Sequence, residues 1–157
     1  MSERLESHKQ KLAEARATLN AALDRIGTRS EEQIYSEGAQ WTLRQLAVHL
    51  MLADKGHNNM IAHYAEGKEF IPADYDIQRY NKRSVDKQAE VTLEQAREAL
   101  AQSRRELLTW FDAQPDDSFL DKIGRHANLQ IMTISQIIDV MCGHEINHAN
   151  DIVSMLT

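Results

Sequence analysis

Apolar residues recur every three to four positions through four long stretches of this chain, the spacing of a helix that buries one face. The first stretch carries Leu5, Leu12, Ala15, Leu19, Ala22 and Ile26, and the second Leu43, Leu46, Leu50, Ala53, Met60 and Tyr64. The third carries Leu93, Ala96, Leu100, Leu107 and Trp110 and stops before Pro115. The fourth carries Ile134, Ile137, Met141, Ile152 and Met155 and runs to the last residue. Three of the four open on a threonine followed three residues later by glutamine: Thr42 and Gln45, Thr92 and Gln95, Thr133 and Gln136. Such a pair makes a capping box, in which the hydroxyl accepts from an orphan amide of the first turn and the glutamine reaches back to the cap's own N–H. Helices of about 23 residues are roughly 35 Å long at 1.5 Å per residue. Four of equal length, each with one apolar stripe, predict an all-α four-helix bundle.

The connections are unequal. Residues 67–91 are too many for a tight helical hairpin, and a crossover of that length lets the second and third helices run parallel. Within it, Asp76 to Val85 predicts a short extra helix. Residues 115–132 carry Pro115-Asp116-Asp117-Ser118 and Gly124 and read as loop. No internal repeat or linker divides the chain, so residues 1–157 are expected to form a single domain.

Composition narrows the function. The chain is 42% apolar and 27% charged, which excludes a disordered chain. Its 24 acidic and 18 basic residues leave a net charge of −6, which repels a phosphate backbone, so no nucleic-acid partner is expected. No apolar run approaches the ~20 residues that cross a bilayer. The opening Met-Ser-Glu-Arg-Leu-Glu is too charged for a signal peptide, and a cytoplasmic protein without a membrane partner is expected. The one cysteine, Cys142, excludes an internal disulfide or a cysteine-rich zinc site and reads as a small buried core residue.

Seven histidines stand out against this background. His144 and His148 lie one turn apart on one face of the fourth helix. They continue the seam Ile134, Ile137, Met141, at positions where the period asks for leucine. Two imidazoles in a bundle core need partners for their nitrogens, and a divalent metal satisfies both at once. The competing reading is that the rings bond only to each other or to water. The run His144-Glu145-Ile146-Asn147-His148 also spells the zinc-protease signature, with Glu145 as nominal base. That motif needs a third ligand, commonly downstream, and the residues after His148 include no histidine or glutamate. Glu145 lies about 100° around the helix from His144 and is expected to face outward. A third ligand must then come from upstream, where His49 and His57 of the second helix are candidates. His57 falls on the seam and His49 about 40–60° off it, and spacing alone does not choose between them. His8, His63 and His126 are expected to be solvated, at a helix edge, a helix end and a loop.

The run Trp41-Thr42-Leu43-Arg44-Gln45-Leu46-Ala47-Val48-His49-Leu50, then Asp54, the crossover with Tyr80-Asn81-Lys82-Arg83-Ser84-Val85, and His144-x-x-x-His148 together resemble the DinB-like metalloprotein superfamily. The resemblance spans nearly the whole chain. It implies a bundle in up-down-down-up order, a homodimer, and one divalent metal ion, zinc or nickel, on His49, His144 and His148. Asp54 stands where the family commonly has glutamate. Members of known activity use the metal to activate a low-molecular-weight thiol, as in bacillithiol and mycothiol transferases and a mycothiol-dependent maleylpyruvate isomerase. The expected function is therefore transfer of such a thiol to an electrophilic small-molecule substrate. The runners-up are a metal-dependent hydrolase and a non-enzymatic, stress-linked binding module. Asp151, one turn after His148, is a candidate to orient an imidazole through its other N–H. Tyr75 and Tyr80 are candidates for a pocket wall or for packing on the bundle. Arg125 and His126 are candidates for the pocket's mouth, and His57 for the pocket itself if it is not a ligand.

Overall fold

All three threonine–glutamine pairs close in full, each hydroxyl accepting from the N3 amide while the glutamine accepts from the cap's own N–H. The computed structural model describes residues 2–157. Ser2 caps α1 (Glu3–Asp24), Thr42 caps α2 (Leu43–Ala65) and Asp76 caps the short crossover helix α3 (Ile77–Asp86). Thr92 and Thr133 cap α4 (Leu93–Ala113) and α5 (Ile134–Leu156). The long helices are α1, α2, α4 and α5. No helix among the described residues is long and apolar enough to cross a membrane.

Side-chain partners fix the directions. The starts of α1 and α5 meet where His8 bonds Ser135, so these two helices run parallel. The start of α2 meets the approach to α4 where Arg44 bonds the Val91 carbonyl, so these two also run parallel. Near the start of α1, Lys9 reaches Asp112 at the end of α4, and near its end Asp24 pairs with Arg97 at the start, so these two run antiparallel. The order is up-down-down-up, with residues 66–92 as the crossover that makes two parallel neighbours possible.

Two expectations need correction. Residues 115–132 are not plain loop: a 3-10 turn at Ser118–Asp121 leads into an antiparallel hairpin of β1 (Ile123–Arg125) and β2 (Ile131–Thr133). The hairpin is held by tertiary packing that a local pattern does not show. Gly124 lies so close to the Tyr64 ring that a Cβ has no room, and the Tyr64 hydroxyl donates to the Arg125 carbonyl. At the end of α4 the core residue is Phe111, only 1% exposed, while Trp110 lies half-buried beside it.

The apolar interior is divided. One cluster includes Leu5, Leu12, Ile61, Leu107, Phe111, Ile137 and Met141, and the other includes Leu19, Leu23, Leu46, Leu50, Leu100 and Ile152. Between them lies a layer of four buried charges, one from each long helix: Arg16, Asp54, Arg104 and Glu145. Glu145 Oε1 accepts from Arg16 and from Arg104, both at 2.7 Å. Asp54 Oδ1 lies 3.3 Å from Arg16 and 3.2 Å from Arg104. The guanidiniums also bond backbone across the bundle, Arg16 to the Leu100 carbonyl at 2.7 Å and Arg104 to that of Leu12 at 3.0 Å. Burial works against the charge of Arg16, but the hydrogen bond and charge of Glu145, then Asp54, outweigh it and raise its pKa.

Candidate metal centre

Buried apolar neighbours of α2 and α5 aim His49, His144 and His148 at a single point beside the charged layer. The Nε2 of His144 lies 3.1 Å from that of His49 and 3.2 Å from that of His148, and one nitrogen of each ring falls within 4.8 Å of the others. Three nitrogens around a tetrahedral zinc at 2.0–2.1 Å stand roughly 3.3–3.4 Å apart, so this donor set fits such an ion. Burial first, then neighbouring imidazoles, push His49 down to about 3 and His144 to about 2. Burial also lowers His148, against the opposing charge of Asp151. All three rings are therefore neutral near pH 7, the form that offers a lone pair.

Each outer ring has its own support. Trp41, from the loop between α1 and α2, stacks on His49 with ring centroids 4.6 Å apart. Tyr35, from the same loop, places its hydroxyl 2.8 Å from His148 Nδ1 and donates to Asp151 Oδ2 at 2.6 Å. Because the phenol donates to the carboxylate, its oxygen accepts from His148 Nδ1–H. That fixes the tautomer and leaves the Nε2 lone pair facing the other two rings. Asp151 thus acts on His148 through Tyr35, with its own oxygen 3.9 Å from Nδ1. Burial, then the hydrogen bond to Asp151, raises the phenol's pKa well above its ordinary value, so it stays a donor.

His57 neighbours this cluster, its ring centroid 6.4 Å from that of His144, but its nitrogens are turned elsewhere. Its Nδ1–H donates to the Ala53 carbonyl at 2.8 Å, and its Nε2 lies 2.8 Å from His126 Nε2. His126 Nδ1 accepts from the Asn128 amide at 3.1 Å, so its proton is on Nε2 and is donated to His57. The chain of donors is complete, with every ring nitrogen partnered. Burial, then His126, lowers His57 to about 4, and burial lowers His126 as well.

Other sequence candidates fall elsewhere than expected. Glu145 does not face outward: it is only 4% exposed and points away from the histidines into the two arginines. The buried line of α5 runs through Ile138, Cys142, Glu145, Ala149 and Ile152, which leaves His144 and His148 on its flank. His8 is buried and bonded to Ser135 at 2.7 Å, and His126 is buried against His57, so neither is solvated. His63 is half-buried and bonds the Asn59 carbonyl at 2.7 Å. Arg125 sends its guanidinium 3.4 Å to the Ile71 carbonyl and does not line the cavity described next. Cys142, by contrast, is a buried core residue as expected, and burial raises its thiol to about 11.

A cavity of about 470 Å³ opens beside the cluster, between α2, the crossover and the hairpin loop. His49 and His144 form part of its wall, His57 and His126 another part, and Tyr75 and Tyr80 stand on the crossover side. Sequence reasoning missed Tyr35, Arg16 and Arg104. The arginines had a signal, since each interrupts an apolar stripe at mid-helix; Tyr35, in an irregular loop, had none.

A model of the DinB superfamily matches residues 11–152. Two solved structures are similar in fold, the mycothiol-dependent maleylpyruvate isomerase and a histidine-to-alanine mutant of it. Each superposes with a TM-score of 0.71 at 14% identity, over 97% of this chain and 63% of the other. This chain therefore spans less than two thirds of those proteins' length. No curated protein matches it.

Proposed function

The chain belongs to the DinB superfamily, and we propose that it holds one divalent ion, zinc or nickel, on His49, His144 and His148 to join a low-molecular-weight thiol to an electrophilic small molecule. The observation that carries this reading is the convergence of three imidazole nitrogens, two of whose rings, His49 and His144, form part of the wall of an apolar cavity. An ion held by three protein ligands keeps open positions and lowers the pKa of a thiol that joins it, supplying a nucleophile near neutral pH. The reaction forms one sulfur–carbon bond. The thiol proton is released, and the electrophile gives up a leaving group or opens a strained ring. The chain's own residues prepare the ground: Tyr35 and Asp151 hold His148, Trp41 backs His49, and the cavity offers a largely apolar wall to the electrophile. The reading takes residues 1–157 as one domain and carries over from the family likeness a cytoplasmic homodimer.

The test is conjugation of small thiols to a chlorodinitroarene, followed by product absorbance, with an ester assayed in parallel. Metal-loaded protein should accelerate conjugation, and chelator should stop it. Chelator-sensitive ester cleavage with no thiol-dependent product would instead establish the hydrolase.

A smaller effect is expected at the support. Tyr35→Phe removes the acceptor for His148 Nδ1–H and the donor to Asp151. Loss of such a partner weakens metal binding by about 10–100-fold. Competition with a chromophoric chelator would read this as a shifted midpoint with unchanged stoichiometry.

A further inference from the structure

The cavity beside the histidines has a chemistry of its own. Its wall is largely apolar, with Leu52, Met60, Phe70, Ile71, Ile77 and Val140 contributing, and Tyr75 and Tyr80 form an aromatic pair with centroids 5.5 Å apart. Its volume of about 470 Å³ is that of a small-molecule site. Among the lining residues only Lys55 carries a formal charge, and Lys55 is exposed at the solvent edge. The nearby guanidiniums are committed elsewhere. Arg16 and Arg104 are locked into the charged layer, and Arg125 is turned to the Ile71 carbonyl. His57 and His126 have every ring nitrogen partnered and no donor to spare for an anion.

Gly56 is the second observation. It lies inside α2, where glycine is disfavoured relative to alanine, and it lines the cavity. A Cβ built there meets nothing within 4 Å, so the absent side chain leaves usable room in the site.

We infer that this cavity receives the body of the electrophile, and that this body is an uncharged, largely apolar or aromatic group rather than a carboxylate. Apart from an ion on the histidines, a carboxylate placed here would lose its water and meet no cationic side chain but Lys55 at the solvent edge. The inference rests on the reading of the histidine cluster as the reacting centre, but its test does not.

The test compares acetonaphthone, which is neutral, with naphthoate, a carboxylate of nearly the same size, by calorimetry on the full chain. Chelator is present so that no bound cation attracts the carboxylate, and metal content is measured separately. An empty histidine cluster and a polar cavity then give different results. Acetonaphthone should bind at least about tenfold tighter than naphthoate, and Gly56→Leu should weaken it at least about tenfold by filling the space. Naphthoate binding as tightly as acetonaphthone overturns the inference, as does a folded Gly56→Leu chain with unchanged affinity. Should circular dichroism show that Gly56→Leu misfolds, Tyr80→Ala decides. Tyr80 is 53% exposed, so its truncation spares the core. Weakened acetonaphthone binding in that variant supports the inference, and unchanged binding overturns it.

Discussion

Replacing His148 with alanine should abolish metal retention and thiol conjugation together. With two imidazoles left, the site falls below the three protein ligands that hold a catalytic ion. Elemental analysis after dialysis should fall from about one ion per chain to under about a tenth of that. The thermal midpoint of the chelated variant should stay close to that of the chelated parent. His148 is only partly buried, on the flank of α5, and its removal opens no hole in either apolar cluster. His57→Ala run alongside should keep its metal, because His57 Nε2 is turned to His126. Metal retained without His148 would sink the three-histidine reading. Metal lost while a partner interaction persists would favour the binding module.

The reverse pattern is expected at the residue that follows His144 on α5. Glu145→Ala removes the carboxylate oxygen that both buried arginines share, leaving two guanidiniums facing Asp54 alone. Breaking a buried ion network by removing one partner costs about 3–5 kcal/mol. In a chain of this size that lowers the melting temperature by about 6–20 °C. Metal content measured well below the new midpoint should remain at the parent value, since Glu145 points away from the three imidazoles. Glu145→Gln, which keeps a hydrogen-bond acceptor, should lose less. A protease-type base would show the opposite split, with unchanged melting and abolished turnover.

That contrast exposes a limit of the motif. His144-x-x-x-His148 with an intervening glutamate is a statement about one helix, and it fixes only that the two histidines share a face. Which face meets the core depends on the neighbouring helices. Taking the seam through Ile134, Ile137 and Met141 to His144 drew the core line one residue away from its actual course. It runs instead through Cys142, Glu145 and Ala149. A buried glutamate on that line is tolerable because Arg16 and Arg104 meet it from two other helices. No periodicity within α5 announces those partners. The interrupted stripes of α1, α2, α4 and α5 do reveal, at one level of the bundle, that something other than hydrocarbon sits there.

Helix positions were legible because their causes are local. Capping boxes at Thr42, Thr92 and Thr133 act within four residues, Asp76 caps α3 over the same range by accepting from the Arg79 amide, and apolar repeats act within a turn or two. The parallel running of α2 and α4 was permitted by the length of the segment joining them, and the family resemblance implied it. The hairpin at 123–133 was not, because its strands are short and Gly124 is placed by a ring sixty residues away on α2.

By its own periodicity and end signals, the chain determines four long helices, the crossover helix, and two histidines one turn apart on the last. Tertiary structure decides that His49 rather than His57 meets that pair, that Tyr35 links His148 to Asp151, and that His57 is held by His126. The physical reason is range. A helix specifies its own faces over a few residues of backbone hydrogen bonding, whereas the point at which groups from separate helices meet is set by how their side chains pack.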